Sequence, residues 1–124
     1  LGIESPDQIA THPLRGALFE NWTIAELLKG RDGRGKSENL TFWRSHIGHE
    51  VDVIADHGQR LMPIEIKSGA TVASDWFRDL QRWVDLAGPF AESPALVYGG
   101  SSAQERTGAS VVPWTAIGEL AKTV

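Results

Sequence analysis

Gly48 to Gly69 reads GHEVDVIADHGQRLMPIEIKSG, and this stretch decides the fold. Glu50 to Ala55 is mostly apolar and β-branched, which predicts a strand. Asp56-His57-Gly58-Gln59 is a turn signal, with Gly58 free to take positive φ. Arg60 to Lys67 predicts a second strand. Side chains alternate along a strand, so Met62, Ile64 and Ile66 share one face and Glu65 and Lys67 the other. On the first strand Asp52 points with Glu50 and Ile54, away from Val51 and Val53. In ordinary hairpin register Asp52, Glu65 and Lys67 converge on one face. The bland reading of that face is a solvated surface with ordinary charges. The sharper reading is a divalent metal site, because a close cluster of charges is costly unless something uses it. Asp52 and Glu65 are hard oxygen ligands suited to Mg²⁺ or Mn²⁺. A metal there lowers the pKa of a bound water and neutralises a phosphate. Lys67 is placed to hold the attacking water or the developing charge.

The 124 residues suffice for one domain with a modest core. With 41% hydrophobic and 23% charged residues the composition is that of an ordinary globular domain. There is no cysteine, hence no disulfide, thiolate site or cysteine nucleophile. No apolar run reaches transmembrane length and no signal peptide is visible, so a cytoplasmic location with no membrane partner is expected. The chain opens at Leu1 rather than Met, and we expect it to be part of a longer protein. A net charge of −4 argues against a constitutive nucleic-acid clamp. It leaves a nuclease open, since a bound cation neutralises the carboxylates of its site. Five tryptophans serve either core packing or a partner-binding surface.

Before the central stretch, His12-Pro13 opens a helix expected to run to about Lys29 and stop at Gly30. Leu14, Ala17, Leu18, Trp22, Ala25 and Leu28 form an apolar stripe at helical spacing. Glu20 lies beside Ile24 and Leu27, half-facing the core. It is either an edge Glu paired with an Arg or a further metal or water contact. Gly30 to Ser37, GRDGRGKS, fits the spacing of a phosphate-binding loop, but a helix precedes it and a strand follows, the reverse of what such a loop needs. It reads as a basic loop whose Arg31, Arg34 and Lys36 can touch a nucleic-acid backbone. Asn39 to Arg44 predicts a strand. His46, His49 and His57 flank the turns without the spacing of a zinc site.

After Lys67, a helix is expected from Asp75 to Ala87, buried through Trp76, Phe77, Leu80, Trp83, Val84 and Ala87. A short strand from Pro94 to Tyr98, a Gly/Ser loop from Gly99 to Gly108, a strand from Ala109 to Val112 and a last helix from Pro113-Trp114 to Lys122 complete the chain. Pro63 cannot donate to a ladder, so the strand carrying Glu65 is expected to be bulged or unpaired there.

Asp52 followed by Glu65-Ile66-Lys67, on the second and third strands of an order α-β-β-β-α-β, resembles the PD-(D/E)xK superfamily. The resemblance covers most of the chain. It implies an α/β fold, a restriction-endonuclease-like mixed sheet flanked by helices. It also implies a Mg²⁺- or Mn²⁺-dependent phosphodiesterase acting on DNA. Asp52, Glu65 and the Ile66 carbonyl would hold the metal and Lys67 would orient the water. Glu20 matches an acidic residue on the first helix that would hold a second metal or a water. Gln81 matches a polar residue on the second helix that would steady the site. THPLRGALFENW, GHEVDVI, IEIKSGATVASDWF and LQRW are similar to the C-terminal domain of unknown function behind AAA+-type ATPase domains of prokaryotes. That resemblance implies an upstream ATPase domain in the same polypeptide, with residues 1–124 as a single C-terminal domain. A non-catalytic module that keeps the fold to bind DNA or protein is the alternative, and a purely structural domain with a vestigial charge cluster is a third.

Overall fold

The computed structural model describes residues 14–32 and 40–124. Their elements are helix α1 (Arg15–Asp32) and strands β1 (Leu40–Arg44), β2 (Glu50–Asp56) and β3 (Leu61–Lys67). Helix α2 (Arg78–Ala87) follows, preceded by a 3₁₀ turn at Ser74–Phe77. Strands β4 (Ala95–Tyr98), β5 (Gln104–Arg106) and β6 (Ala109–Pro113) lead to helix α3 (Ile117–Ala121). The expected opening of the first helix at His12-Pro13, and Arg34 and Lys36 of the basic loop, lie outside the described residues. Of Arg31 only its place in the last turn of α1 is described.

The strands form one mixed sheet in the order β1-β2-β3-β4-β6-β5. β1, β2 and β3 are antiparallel neighbours, β3, β4 and β6 run parallel, and β5 closes the far edge antiparallel to β6. Strand alternation divides the core into two layers. Val53, Ala55, Ile64, Ile66, Ala95 and Val97 face α1 and α3 and pack on Leu27, Ile117 and Leu120. Ile54, Leu96, Tyr98 and Val111 face α2 and pack on Phe77, Leu80 and Trp83. Covered on both faces, β4 (ALVY) is buried at every position, as a central parallel strand should be.

Several expectations are corrected. The first helix does not stop at Gly30 but continues to Asp32. Gly30 is a contact point: a Cβ there would stand 2.6 Å from the Ala121 Cβ and 3.0 Å from the Ala121 carbonyl oxygen. Its missing side chain lets α3 approach α1. The expected apolar stripe of α1 is not the buried one. Thr23 and Leu27 are fully buried, with Phe19 and Ile24 packed at the core, whereas Leu14 and Trp22 are 45% and 38% exposed. At about 100° per residue the buried arc lies on the side opposite the expected stripe. Thr23 is tolerated inside because its Oγ1 donates to the Phe19 carbonyl at 2.9 Å.

Pro63 does not disturb its strand. It sits opposite Ile54 in an unshifted register, and the parallel ladder to β4 begins one residue later, at Ile64↔Ala95. The Gly99–Gly108 loop contains β5, joined to β6 by a two-residue turn in which Thr107 and Gly108 both have positive φ (53° and 78°).

Candidate functional site

The β2–β3 ladder pairs Asp56↔Leu61 through Val53↔Ile64 and then ends, although both strands continue. Extending the register by one residue sets Asp52 opposite Glu65. The strands open as a fork at this point, and the Asp52 carboxylate enters it. Asp52 Oδ2 accepts the Ile66 backbone N–H at 2.8 Å, taking the donor that the ladder leaves unpaired. Amide and carbonyl of one antiparallel residue point to the same neighbour, so the Ile66 carbonyl opens on the same edge.

Glu65 is only 4% exposed. Burial first, then a hydrogen bond with the Asp52 side chain and the Asp52 charge, hold its carboxyl well above the ordinary carboxylate range. With its carboxyl pushed up to about 10, Glu65 keeps its proton at neutral pH beside Asp52. Lys67 follows Glu65 on the same face, and its charge opposes the rise. Glu20 approaches from α1. Its carboxyl is also held above its ordinary value, chiefly by burial and then by Asp52 and Glu50, with Lys67 opposing. Glu20, Asp52, Glu65 and Lys67 therefore lie within one electrostatic neighbourhood. Arg15, at the start of α1, borders it by donating Nε to Ser68 Oγ at 3.3 Å.

Gln81 stands elsewhere. It is exposed, and its Nε2 donates to Asp85 Oδ1 at 3.1 Å. The side of α2 turned to the fork carries Asp79, since residues two apart on a helix are separated by about 200°. Asp79 accepts the Glu50 backbone N–H at 3.4 Å and faces His49 Nδ1 at 3.3 Å. Arg82 meets the other nitrogen, Nε2, of the same ring. These contacts tie α2 to the first residue of β2, two residues before Asp52. Sequence reasoning missed Asp79. Its flank of α2 is as polar as that of Gln81, and only His49, next to Glu50, hinted at which flank the hairpin meets.

The arrangement can hold one hard cation through Asp52 and Glu65. Among the described residues no group of three or more His, Cys, Asp or Glu side chains is placed to hold a metal ion. Of the histidines flanking the turns, His49 is engaged as above and His57 meets Glu92 at 2.9 Å.

Fold and site together define a mixed α/β domain with an acidic fork at the edge of its sheet. A family described as a domain of unknown function (DUF4143) matches residues 15–117, and the chain belongs to that family. No curated protein matches the chain. No helix among the described residues is long and apolar enough to cross a membrane.

Proposed function

We propose that the domain is a Mg²⁺-dependent phosphodiesterase of the PD-(D/E)xK nuclease type, acting on nucleic acid. The observation that carries this reading is the fork, where the Asp52 carboxylate takes the Ile66 amide beside the buried Glu65 carboxyl, with Lys67 on the same strand face as Glu65. Two carboxyls brought together at a half-buried site mark a place where a cation can satisfy both. Mg²⁺ needs only one or two protein carboxylates because it keeps several waters, so the donor set fits it, and Mn²⁺ in its place. Bound there, the ion would make a coordinated water acidic and neutralise a phosphate oxygen.

The chain's own residues divide the remaining work. Asp52 and Glu65 hold the cation, and the Ile66 carbonyl offers a third oxygen. Lys67 orients the water for in-line attack and meets the developing negative charge. Glu20 borders the fork as a holder of a further water or cation. The family is commonly found after AAA-type ATPase domains, which supports an ATPase domain upstream in the same polypeptide as the partner. The second reading is a non-catalytic module that binds DNA or protein through the same fold, and a net charge of −4 favours its protein-binding form.

Calorimetric titration with Mn²⁺, on this chain and on Asp52→Ala, tests the reading. We expect micromolar to sub-millimolar binding in the parent and none in the variant. Absence of binding at several millimolar, with both proteins folded, refutes it in favour of the binding module.

A further inference from the structure

We propose that the carboxyl edge of the sheet is a track for single-stranded nucleic acid, with unpaired bases stacking on Trp22 and Trp114 beside the fork. The inference rests on the phosphodiesterase reading and narrows its substrate to strands whose bases are free.

The five tryptophans fall into two groups. Trp83 is buried, and Trp43 and Trp76 pack against the α2-side core. Trp22 and Trp114 are 38% and 44% exposed. They meet edge to face, with centroids 6.1 Å apart and planes at 68°, and Phe19 backs Trp22 at 6.2 Å. Edge-to-face contact leaves ring surface open to a third planar group.

The position of this pair relates it to the fork. Lys67 is in register with Tyr98, and Tyr98 with Pro113. Trp114 therefore stands one residue beyond the row of Lys67 and two strand spacings across, about 10 Å. Trp22 lies two turns along α1 from Arg15 on the same flank, the one that reaches Ser68 beside Lys67, whereas Glu20, two residues from Trp22, points about 200° away toward the fork. β3, β4 and β6 all end at this edge, and ligands of open α/β sheets bind outside the carboxyl ends of the strands. Between Lys67 and Trp114 the surface is backbone: the Gly99 N–H donates to the Gly69 carbonyl at 2.9 Å, and a Cβ on Gly99 would lie 2.2 Å from the Ser68 carbonyl oxygen.

Charge separates single strands from duplex. A duplex groove neutralises many phosphates with cations, which a chain of net charge −4 is poorly supplied to do. Stacking of an unpaired base on an aromatic ring adds to whatever the cations supply, and a paired base in a duplex cannot make that contact. Lys67 and Arg15 stand where the backbone would enter the fork. A protein partner seated on the outer apolar stripe of α1 is the competing occupant, and it predicts no response to oligonucleotides.

Tryptophan fluorescence of the 124-residue chain, in EDTA so that nothing is cleaved, provides the test. We expect quenching by an oligothymidylate of about ten nucleotides and much weaker quenching by a duplex of equal length. Trp22→Leu and Trp114→Leu should each weaken oligonucleotide binding about tenfold or more, and Trp114→Phe should keep most of it. Equal response to duplex, no response to either nucleic acid, or unchanged binding in Trp22→Leu overturns the track. If Trp114→Leu does not fold, Trp22→Leu and the duplex comparison still decide. Mn²⁺ calorimetry reads the fork separately. Metal binding without oligonucleotide quenching overturns the track and spares the fork. Quenching without metal binding supports the track and overturns the phosphodiesterase.

Discussion

Replacing Glu65 with Gln should stabilise this domain, and more so as pH rises. Glu65 keeps its proton in the folded state because burial and Asp52 disfavour its charge, whereas in the unfolded chain it titrates near its ordinary value of 4.5. Above pH 4.5 the native state therefore binds more protons than the unfolded state, and stability falls with rising pH. The contribution is fully present below pH 4.5 and is lost toward the raised folded value. A carboxyl protonated throughout the folded state loses about 1.4 kcal/mol per pH unit. Between pH 5 and pH 8 that sets a ceiling of about 4 kcal/mol. The nearby Lys67 ammonium and local relaxation reduce it, and we expect about 2 kcal/mol. Glutamine mimics the protonated side chain, keeping a donor for Asp52 without a charge to bury. Urea unfolding followed by tryptophan fluorescence at pH 5, 6, 7 and 8 measures the difference. The parent should weaken across the series while Glu65→Gln stays nearly level, with a small residual slope from Glu20. Parallel curves would show that Glu65 is not held protonated, and the account of the fork would fail.

The remaining predictions concern the fork and the packing around it. Asp52→Ala leaves the Ile66 amide without its acceptor and should cost about 1–3 kcal/mol; accelerated hydrogen exchange at that one amide, within a sheet otherwise still protected, is the sign to look for. Gly30→Ala drives a methyl into Ala121 at 2.6 Å and should cost about 1–3 kcal/mol by overpacking, whereas Gly16→Ala, in the same helix with no atom within 4 Å, should be neutral or stabilise by up to about 1 kcal/mol. If the two melt alike, Gly30 is not the contact described. Leu27→Ala empties a fully buried position of α1 and should lower stability by about 2–5 kcal/mol in the same unfolding assay.

The hairpin was legible because period-two alternation and a Gly turn fix both the strands and their faces. That Asp52 and Glu65 share a face follows from parity, but the turn expected at Asp56–Gln59 would set Asp52 opposite Pro63, and it is the observed pairing of Asp56 with Leu61 that brings it opposite Glu65. The buried side of α1 was not legible in the same way. Leu14, Ala17, Leu18, Trp22, Ala25 and Leu28 make one apolar arc, and Phe19, Ile24 and Leu27 another on the far side. A helix with two such arcs does not say which one meets the sheet. Glu20 lies within the second arc, between Ile24 and Leu27, so an isolated charge among buried positions was the better guide to the site. β5 was hidden because Gln104-Glu105-Arg106 is polar throughout, as an exposed edge strand can be. Only the Thr107-Gly108 turn signals it. Gly30 read as a helix stop because close approach of a distant helix leaves no local mark. Pro63 read as a defect because the sequence does not show that the next strand starts pairing only after it.

The contact between Gly30 and Ala121 joins residues 121 − 30 = 91 positions apart. During synthesis at about 5–20 residues per second, α1 waits some 5–18 s for its partner to be made. Throughout that interval Leu27 and Ile24 lack the part of their cover that Ile117, Leu120 and Ala121 finally supply, and the outer stripe adds a second sticky side. The nascent helix is thus the chain's most vulnerable piece before completion, and chaperone occupancy on a ribosome-bound series of truncations should peak before α3 emerges and drop once it does.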